Sequence, residues 1–375
     1  MRETATSAVP TSKMESDSLD RHRRPTPGIL RVVVQRIAYG TLAIAILVAV
    51  FVGDVGLAMR FGGVEGRVAE LICRGSILPL VVFGLCLAGT RELIGLWRAS
   101  GAKPHARFSI LMVGVVLISP WLSAAGWLGS GPQLVEGLYW NILWMTVAVL
   151  GAGILSVMSG DPLGAVRDMA ATVLTIIYLG FLPSFALQLR CGRDSPDQDG
   201  AWLLLITLLV AKASDIGAYF VGTAFGRHKL IPTISPGKSI EGMVGGVVGS
   251  ALAGLFFATA SSFIPSESVE WAGRPETYFS SQTFLVFLQD LTSLFSAPTK
   301  SSFLNPALRG MAFGAIVSCF SQFGDLVESC FKRSANVKDS GQLMPHFGGV
   351  LDLIDSPLFA IPAAWWLLTI MFGVI

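Results

Sequence analysis

The distribution of charge along this chain constrains it more than any other feature, because it leaves long stretches with no charge at all. Residues 37–53, 75–90, 108–135, 137–160, 169–189, 242–266 and 356–375 contain no Asp, Glu, Lys or Arg. A helix needs about 20 predominantly apolar residues to cross a bilayer, and most of these runs reach or approach that length. The chain is 52% hydrophobic and 14% charged, whereas soluble proteins carry roughly a quarter charged residues. A large soluble core would need amphipathic helices to cover it, and almost none can be read here. The sequence predicts an all-α, polytopic transmembrane helical protein.

The runs and their flanks predict about nine spans, near 34–53, 75–97, 107–128, 137–159, 165–189, 200–222, 240–263, 306–331 and 351–373. Residues 1–28 are rich in Ser, Thr, Asp, Arg and Pro and should be disordered. That tail, taken to residue 30, precedes N-terminal transmembrane helices over 31–199 and a C-terminal transmembrane region with polar loops over 200–375. Arg21, His22, Arg23 and Arg24, then Arg31 and Arg36, crowd the start of the first span. They argue for a cytoplasmic N-terminus by the positive-inside rule, and contact with anionic headgroups is a second reading of the same cluster. The loops 98–106, 160–164, 223–239 and 332–350 then face the cytoplasm. They carry Arg98, Lys103, Arg227, Lys229, Lys238, Lys332, Arg333 and Lys338. Arg60, Arg67, Arg74, Arg190 and Arg193 fall on the opposite side and run against the rule. The outer loop 264–305 contains an apolar stretch, 283–295, expected along the interface. No cleavable signal peptide is evident.

Several classes are disfavoured. A net charge of +2 offers no field for nucleic acid. Cys73, Cys86, Cys191, Cys319 and Cys330 form no CxxC and no Cys/His pair, so they read as small apolar residues.

The informative residues are the ionisable ones inside spans. Each costs about 2.5–3.5 kcal/mol at a helix centre and is a functional candidate by default. Lys212, Asp215 and Tyr219 share one helical face, either as a self-neutralising pair or as a polar wall of a site. Asp325, Ser329 and Lys332 fall at i, i+4 and i+7 on another stripe, with Glu328 beside them. Asp352 and Asp355 lie three apart at the start of the last span. Adjacent carboxylates repel unless a cation lies between them or one is protonated. Magnesium is usually held by one or two carboxylates together with substrate phosphates, so a metal site is the economical reading. Two basic, Gly-rich loops lie on the same side. One holds Arg227, His228, Lys229, Ser235, Lys238 and Ser239; the other holds Lys332, Arg333, Lys338, Gly341, Gly348 and Gly349. Together with the carboxylates they suggest a polyphosphate ligand with magnesium.

The stretch SCFKRSANVKDSGQLMPHFGGVLDLID (329–355) resembles the signature of the phosphatidate cytidylyltransferases, or CDP-diacylglycerol synthases. GDLVES (324–329) and SDIGAYFVGTAFGRHKLIPTISPGKSIEG (214–242) resemble further regions of that family, and the resemblance covers roughly 200–375. Two positions depart from the family pattern. His346 is displaced by one place, so that Phe347 stands where the family has histidine, and Leu353 stands where it has arginine.

The resemblance implies condensation of CTP with phosphatidic acid to CDP-diacylglycerol and pyrophosphate. It also implies an inner (cell) membrane location with the site facing the cytoplasm. Asp325, Lys332, Arg333, Lys338, Asp339, Asp352 and Asp355 become the expected catalytic set. Asp325 and Asp352 would be magnesium ligands, with Asp355 a further ligand or a support. Asp215, Lys229, Ser235, Lys238, Ser239, Glu241, Ser329, Gly348 and Gly349 become the expected substrate-binding set. CTP, phosphatidic acid and membrane lipids are the expected partners, with no nucleic acid. A monovalent cation beside magnesium, and a homodimer, are left open. The rival readings are a catalytically altered paralogue, another CTP-dependent lipid enzyme such as a polyprenol kinase, and a transporter. Absent repeats count against the last.

Overall fold

Within lipid the backbone has no water to bond to, so an apolar run must satisfy its N–H and C=O groups by winding into a helix. The computed structural model describes residues 29–61, 66–128, 133–191, 199–260, 305–341 and 348–371, and its elements follow that rule. The helices are α1 (Ile29–Phe61), a short α2 (Arg67–Cys73), α3 (Ile77–Ala99), α4 (Ala106–Ala124), α5 (Gln133–Met158), α6 (Ala165–Cys191), α7 (Asp199–Phe225), α8 (Ile240–Thr259), α9 (Pro306–Ser334) and α10 (Leu351–Trp366). Among the described residues, the eight helices α3 to α10 are long and apolar enough to cross a membrane. They coincide with eight of the expected spans, and the chain is an integral membrane protein. The remaining expected span, the first at 34–53, falls on α1, where the apolar stretch that qualifies is the shorter Ala45–Ala58. The chain divides into two compact units, Met1–Ala49 and Val50–Ile375. The first is helical from Ile29, and helices α2 to α10 all belong to the second. The tail 1–28, the stretch 283–295 and the tripeptide Pro345-His346-Phe347 lie outside the described residues.

Local chemistry sets the breaks. In α6 a π-turn at Ile177–Phe181 ends two residues before Pro183, whose ring and missing N–H disturb the regular ladder. Asn305 starts α9 by accepting a bond from the Ala307 amide at 3.0 Å, with Pro306 at the first helical position. At its other end Asn336 takes a left-handed φ of 55°, and the amides of Asn336 and Val337 return to the carbonyls of Arg333 and Lys332. The chain turns there into the 338–350 segment.

Between α7 and α8 the expected loop contains a small antiparallel hairpin, β1 (Lys229–Ile231) and β2 (Ser235–Ser239). Ile231-Pro232-Thr233-Ile234 closes it, with the Ile234 amide bonding to the Ile231 carbonyl at 3.2 Å. Pro232 occupies the turn position that its fixed φ suits. This hairpin is the one β element among the described residues, and the all-α reading stands.

Helices α7, α8 and α9 pack at close range through small residues. A Cβ on Gly246 would lie 3.0 Å from the Ser214 carbonyl, and Gly254 and Gly310 meet backbone to backbone. A polar ladder crosses the same contact. Ser214 and Ser318 share a 2.6 Å hydroxyl bond, and Gln322 donates to Ser318 at 3.0 Å and to the Met243 carbonyl at 3.2 Å. These bonds fix the rotation of α9, and therefore the direction in which its acidic stripe points.

Candidate active site

Helix α9 carries Asp325, Glu328, Ser329 and Lys332 on successive turns of one face, and the first two turns of α10 bring Asp352 and Asp355 against it. Lys332 is the joint. Its ammonium forms an ion pair with Glu328, one turn back, and sits 2.6 Å from Asp352 Oδ1 on α10. The other oxygen of Asp352 is saturated by protein donors. It accepts from the Gly349 amide at 2.7 Å, the Ser340 hydroxyl at 2.8 Å and the Ser340 amide at 3.1 Å. Gly348 makes this possible: its φ is +86°, and a Cβ there would lie 2.5 Å from Asp352 Oδ2.

Asp325, Glu328 and Asp355 form the second group. Each offers a carboxylate oxygen within 4.8 Å of the others. Asp355 is buried and accepts the Ser356 amide at 2.6 Å. Glu328 is 0% exposed, and neither of its oxygens finds a hydrogen-bond donor apart from the Lys332 ion pair. Asp325 is 36% exposed at the side chain, so the group opens toward solvent at one edge. Oxygen donors of this number and hardness suit a cation such as Mg²⁺. The buried Glu328 Oε1, which Lys332 does not reach, is what such a cation would satisfy. The donor set therefore fits the expected metal, although the grouping differs from the sequence expectation. Glu328 joins Asp325 and Asp355, and Asp352 is engaged by Lys332, Ser340 and Gly349.

The hairpin forms the opposite wall. Lys238 reaches Asp325 Oδ2 at 2.7 Å and the Gln322 carbonyl at 3.5 Å. Arg333 holds the hairpin turn to α9, donating to the Ile234 carbonyl at 3.1 Å and to the Val337 carbonyl at 3.3 Å. Ser239 caps α8 by accepting from the Gly242 amide at 3.1 Å. Glu241 accepts the amides of Arg227 and His228 and pairs with His228 Nδ1 at 2.6 Å, so it fixes the entry to β1. Ser329 donates a long 3.5 Å bond to Asp325. Asp215 pairs with Lys212 at 3.0 Å on α7, and both act electrostatically on Asp355. Lys229, Lys338 and Asp339 are exposed, and Ser235 is half-buried at the start of β2.

Beneath the carboxylates lies an aromatic floor. Tyr178, from the π-turn of α6, packs on Phe331 of α9 at 5.2 Å and on Phe359 of α10 at 6.1 Å, and Trp97 of α3 packs on Phe331 at 5.2 Å. Sequence reasoning missed two further participants. Glu328 was visible only as a neighbour of the stripe. Glu92, on α3, accepts bonds from the amides of Val350 and Leu351 and from the Ser340 hydroxyl. The rule that flags ionisable residues inside spans applied to Glu92 as much as to Asp325.

Comparison with known proteins bears on the family of the chain. The sequence model of the Cytidylyltransferase family matches residues 58–371. The chain is 31% identical over 304 residues to a phosphatidate cytidylyltransferase of Haemophilus influenzae, covering 79% of this chain and 92% of the relative. It is 26% identical over 344 residues to the phosphatidate cytidylyltransferase of a Synechocystis species, covering 86% and 96%. It is 33% identical to that of Bacillus subtilis over 204 residues, covering 54% and 59%.

Proposed function

From the premise that this chain belongs to the cytidylyltransferase family, we propose how its residues condense CTP with phosphatidic acid to give CDP-diacylglycerol and pyrophosphate. The chain is a membrane-embedded nucleotidyltransferase of phospholipid biosynthesis. The observation that carries the residue-level reading is the gathering of four carboxylates, three of them paired with two lysines, where α9, α10 and the hairpin meet. Counted as ionised, that group keeps an excess of negative charge, which calls for a cation.

The chemistry asks little of a general base. A phosphate monoester loses its second proton near pH 6, so phosphatidate is already a dianionic nucleophile at neutral pH. One of its oxygens attacks the α-phosphorus of CTP. The bond from that phosphorus to the α–β bridging oxygen breaks, and pyrophosphate leaves. The obstacle is repulsion between two anions, which phosphoryl-transfer sites overcome by positioning and electrostatic stabilisation. Magnesium held by Asp325, Glu328 and Asp355 would supply the charge neutralisation. Asp352 orients Lys332, whose ammonium then faces the phosphates from within the acidic group. Lys238 approaches from the hairpin and offers its second charge to the triphosphate. Arg333 holds the hairpin against α9, and Lys338, exposed beyond the end of α9, meets the departing pyrophosphate. Asp215 with Lys212 supports the floor near Asp355. Both carboxylate helices come from one protomer, so the reading needs no second copy.

The site sits at the ends of α9 and α10, where phosphatidate can slide in from the leaflet with its acyl chains still in lipid. By the basic loops of that side we assign it to the cytoplasmic face of the cell membrane. The test is incorporation of label from CTP into lipid by purified protein, with magnesium and with chelator. Asp355→Asn should remove incorporation, and wild-type turnover in that variant would overturn the assignment. Release of CDP in place of pyrophosphate would mark a kinase.

A further inference from the structure

We propose that Glu92, on α3, is a positioning residue of the active site, setting the backbone on which Asp352 and Lys332 depend. The inference rests on the proposed reading of that site. Glu92 lies well before the stretch whose motifs point to the family, in a helix otherwise made largely of apolar residues. Its carboxylate reaches across to three donors in the 340–351 segment. Oε1 accepts the Val350 amide at 3.0 Å. Oε2 accepts the Leu351 amide at 2.8 Å, and the Ser340 hydroxyl lies 3.2 Å from it, its one proton shared between Glu92 and Asp352. The two amides belong to the start of α10, where a carboxylate both satisfies unpaired N–H groups and complements the helix dipole.

Ser340 extends the chain of contacts. The same hydroxyl lies 2.8 Å from Asp352 Oδ2, which also takes the Gly349 amide at 2.7 Å. Glu92 thus holds the end of α10 from one side while Asp352 folds back on the same turn from the other. Asp352 in turn fixes Lys332 at 2.6 Å. The glycines around the carboxylate report how closely it is enclosed. A Cβ on Gly341 would lie 2.5 Å from Glu92 Oε1, and one on Gly349 would lie 2.5 Å from Oε2. The glycines of the K-D-S-G and G-G motifs leave room for a side chain from a helix more than 240 residues earlier, as the Ser340–Glu92 separation of 248 records.

A residue that only stabilised the fold would lower the yield of folded protein and leave each folded molecule unchanged. A positioning residue changes turnover and the response to magnesium. The experiment compares Glu92→Gln and Glu92→Ala with the wild-type full-length protein in detergent micelles containing phosphatidate. It measures kcat, KM for CTP, half-activation by Mg²⁺ and the thermal midpoint. Partners that orient ligand-bearing groups are worth about 10–100-fold in metal affinity or activity. Glu92→Ala should lose kcat in that range, with half-activation by Mg²⁺ moved upward several-fold. Glu92→Gln, which keeps the shape and one acceptor oxygen, should recover part of the loss. Losses from Glu92→Gln and Ser340→Ala should be less than additive, since both act through one network. Arg91→Ala, at the exposed neighbouring position, should match wild type. If Glu92→Ala does not fold, Glu92→Gln decides alone. Turnover per folded molecule and magnesium response within twofold of wild type would overturn the inference. If Asp355→Asn is inactive in the same assay, the site reading survives that outcome; if Asp355→Asn is fully active, both fall.

Discussion

At its first residues α3 meets Asp54 and Arg190; near its last turns it meets the carboxylates of α9 and α10. At the first meeting an acid and a base pair one to one and are almost wholly enclosed, with 0% and 4% of their side chains exposed. Asp54 Oδ2 takes the Arg190 Nε proton at 2.8 Å, and Oδ1 takes the Leu78 amide at 3.0 Å. Gly75, at φ +83°, leaves the space that the pair fills. At the second meeting acids outnumber bases, the exposed edge runs through Asp325 and Lys238 at 36% and 25%, and Glu328 is met by the Lys332 ammonium alone. A matched, saturated pair has nothing left to offer a ligand, whereas an unmatched group retains charge and unfilled oxygens. The contrast teaches that burial of charge in a membrane protein does not itself mark a site. The surplus does.

The contrast can be broken most directly at the closed end. Removing one partner of a buried pair strands the other and costs about 3–5 kcal/mol. Asp54→Asn should lower the thermal midpoint of the solubilised protein accordingly, while label transfer per folded molecule stays within twofold. Replacing both partners by apolar residues of similar size should restore much of the stability. A variant that stays fully stable and loses turnover would show that the pair belongs to the catalytic machinery, and the distinction would collapse.

The open end should behave the other way. Asp355→Asn removes one oxygen donor from the acidic group, and metal stabilisation of developing charge is worth several kcal/mol. Turnover should fall by roughly 10²–10³-fold, with the thermal midpoint held or raised because like charges have been thinned. Chelation of magnesium should reproduce the loss in the wild type and add little to the variant. Next in size is Lys238→Met. A hydrogen bond to a charged group is worth about 1.5–3 kcal/mol, so an approximately tenfold or greater loss of kcat/KM for CTP is expected, read from initial rates across CTP concentrations.

These regions also differ in how far they could be read from the sequence. The spans were legible because lipid forces any apolar run of sufficient length to become a helix, and α3 to α10 follow those runs. Asp325 and Asp355 were legible because a charge in such a run needs a reason. What periodicity cannot give is the element that faces a given stripe. Asp352 and Asp355 share a face of α10, yet Lys332 claims the first and leaves the second to Asp325 and Glu328. Asp54 stood at the edge of an apolar run and read as its end, while α1 continues to Phe61 and Arg190 pairs with Asp54 from 136 residues away. Arg190 itself seemed to break the positive-inside pattern; its guanidinium is buried in that pair. Glu92 was open to the same flag as Asp325, but its partners were hidden, since its donors lie at 340, 350 and 351.

The smallest effect lies one residue from Lys238 and separates the two behaviours within a single strand. Ser239 is buried, ends β2 and caps α8 through the Gly242 amide at 3.1 Å. Loss of such a cap costs about 1 kcal/mol. Ser239→Ala should therefore lower the thermal midpoint by a few degrees, roughly as expected for a change of that size. Its KM for CTP should move far less than that of Lys238→Met. The hydroxyl was expected to bind substrate because it lies in a basic, Gly-rich stretch; its position places it against backbone, with the Gly222 Cα 3.2 Å from a Cβ at Gly242 and the serine oxygen at 3.0 Å. A rise in KM for CTP as large as that of Lys238→Met would return Ser239 to the nucleotide, and would extend the open end of the molecule past the hairpin into the first turn of α8.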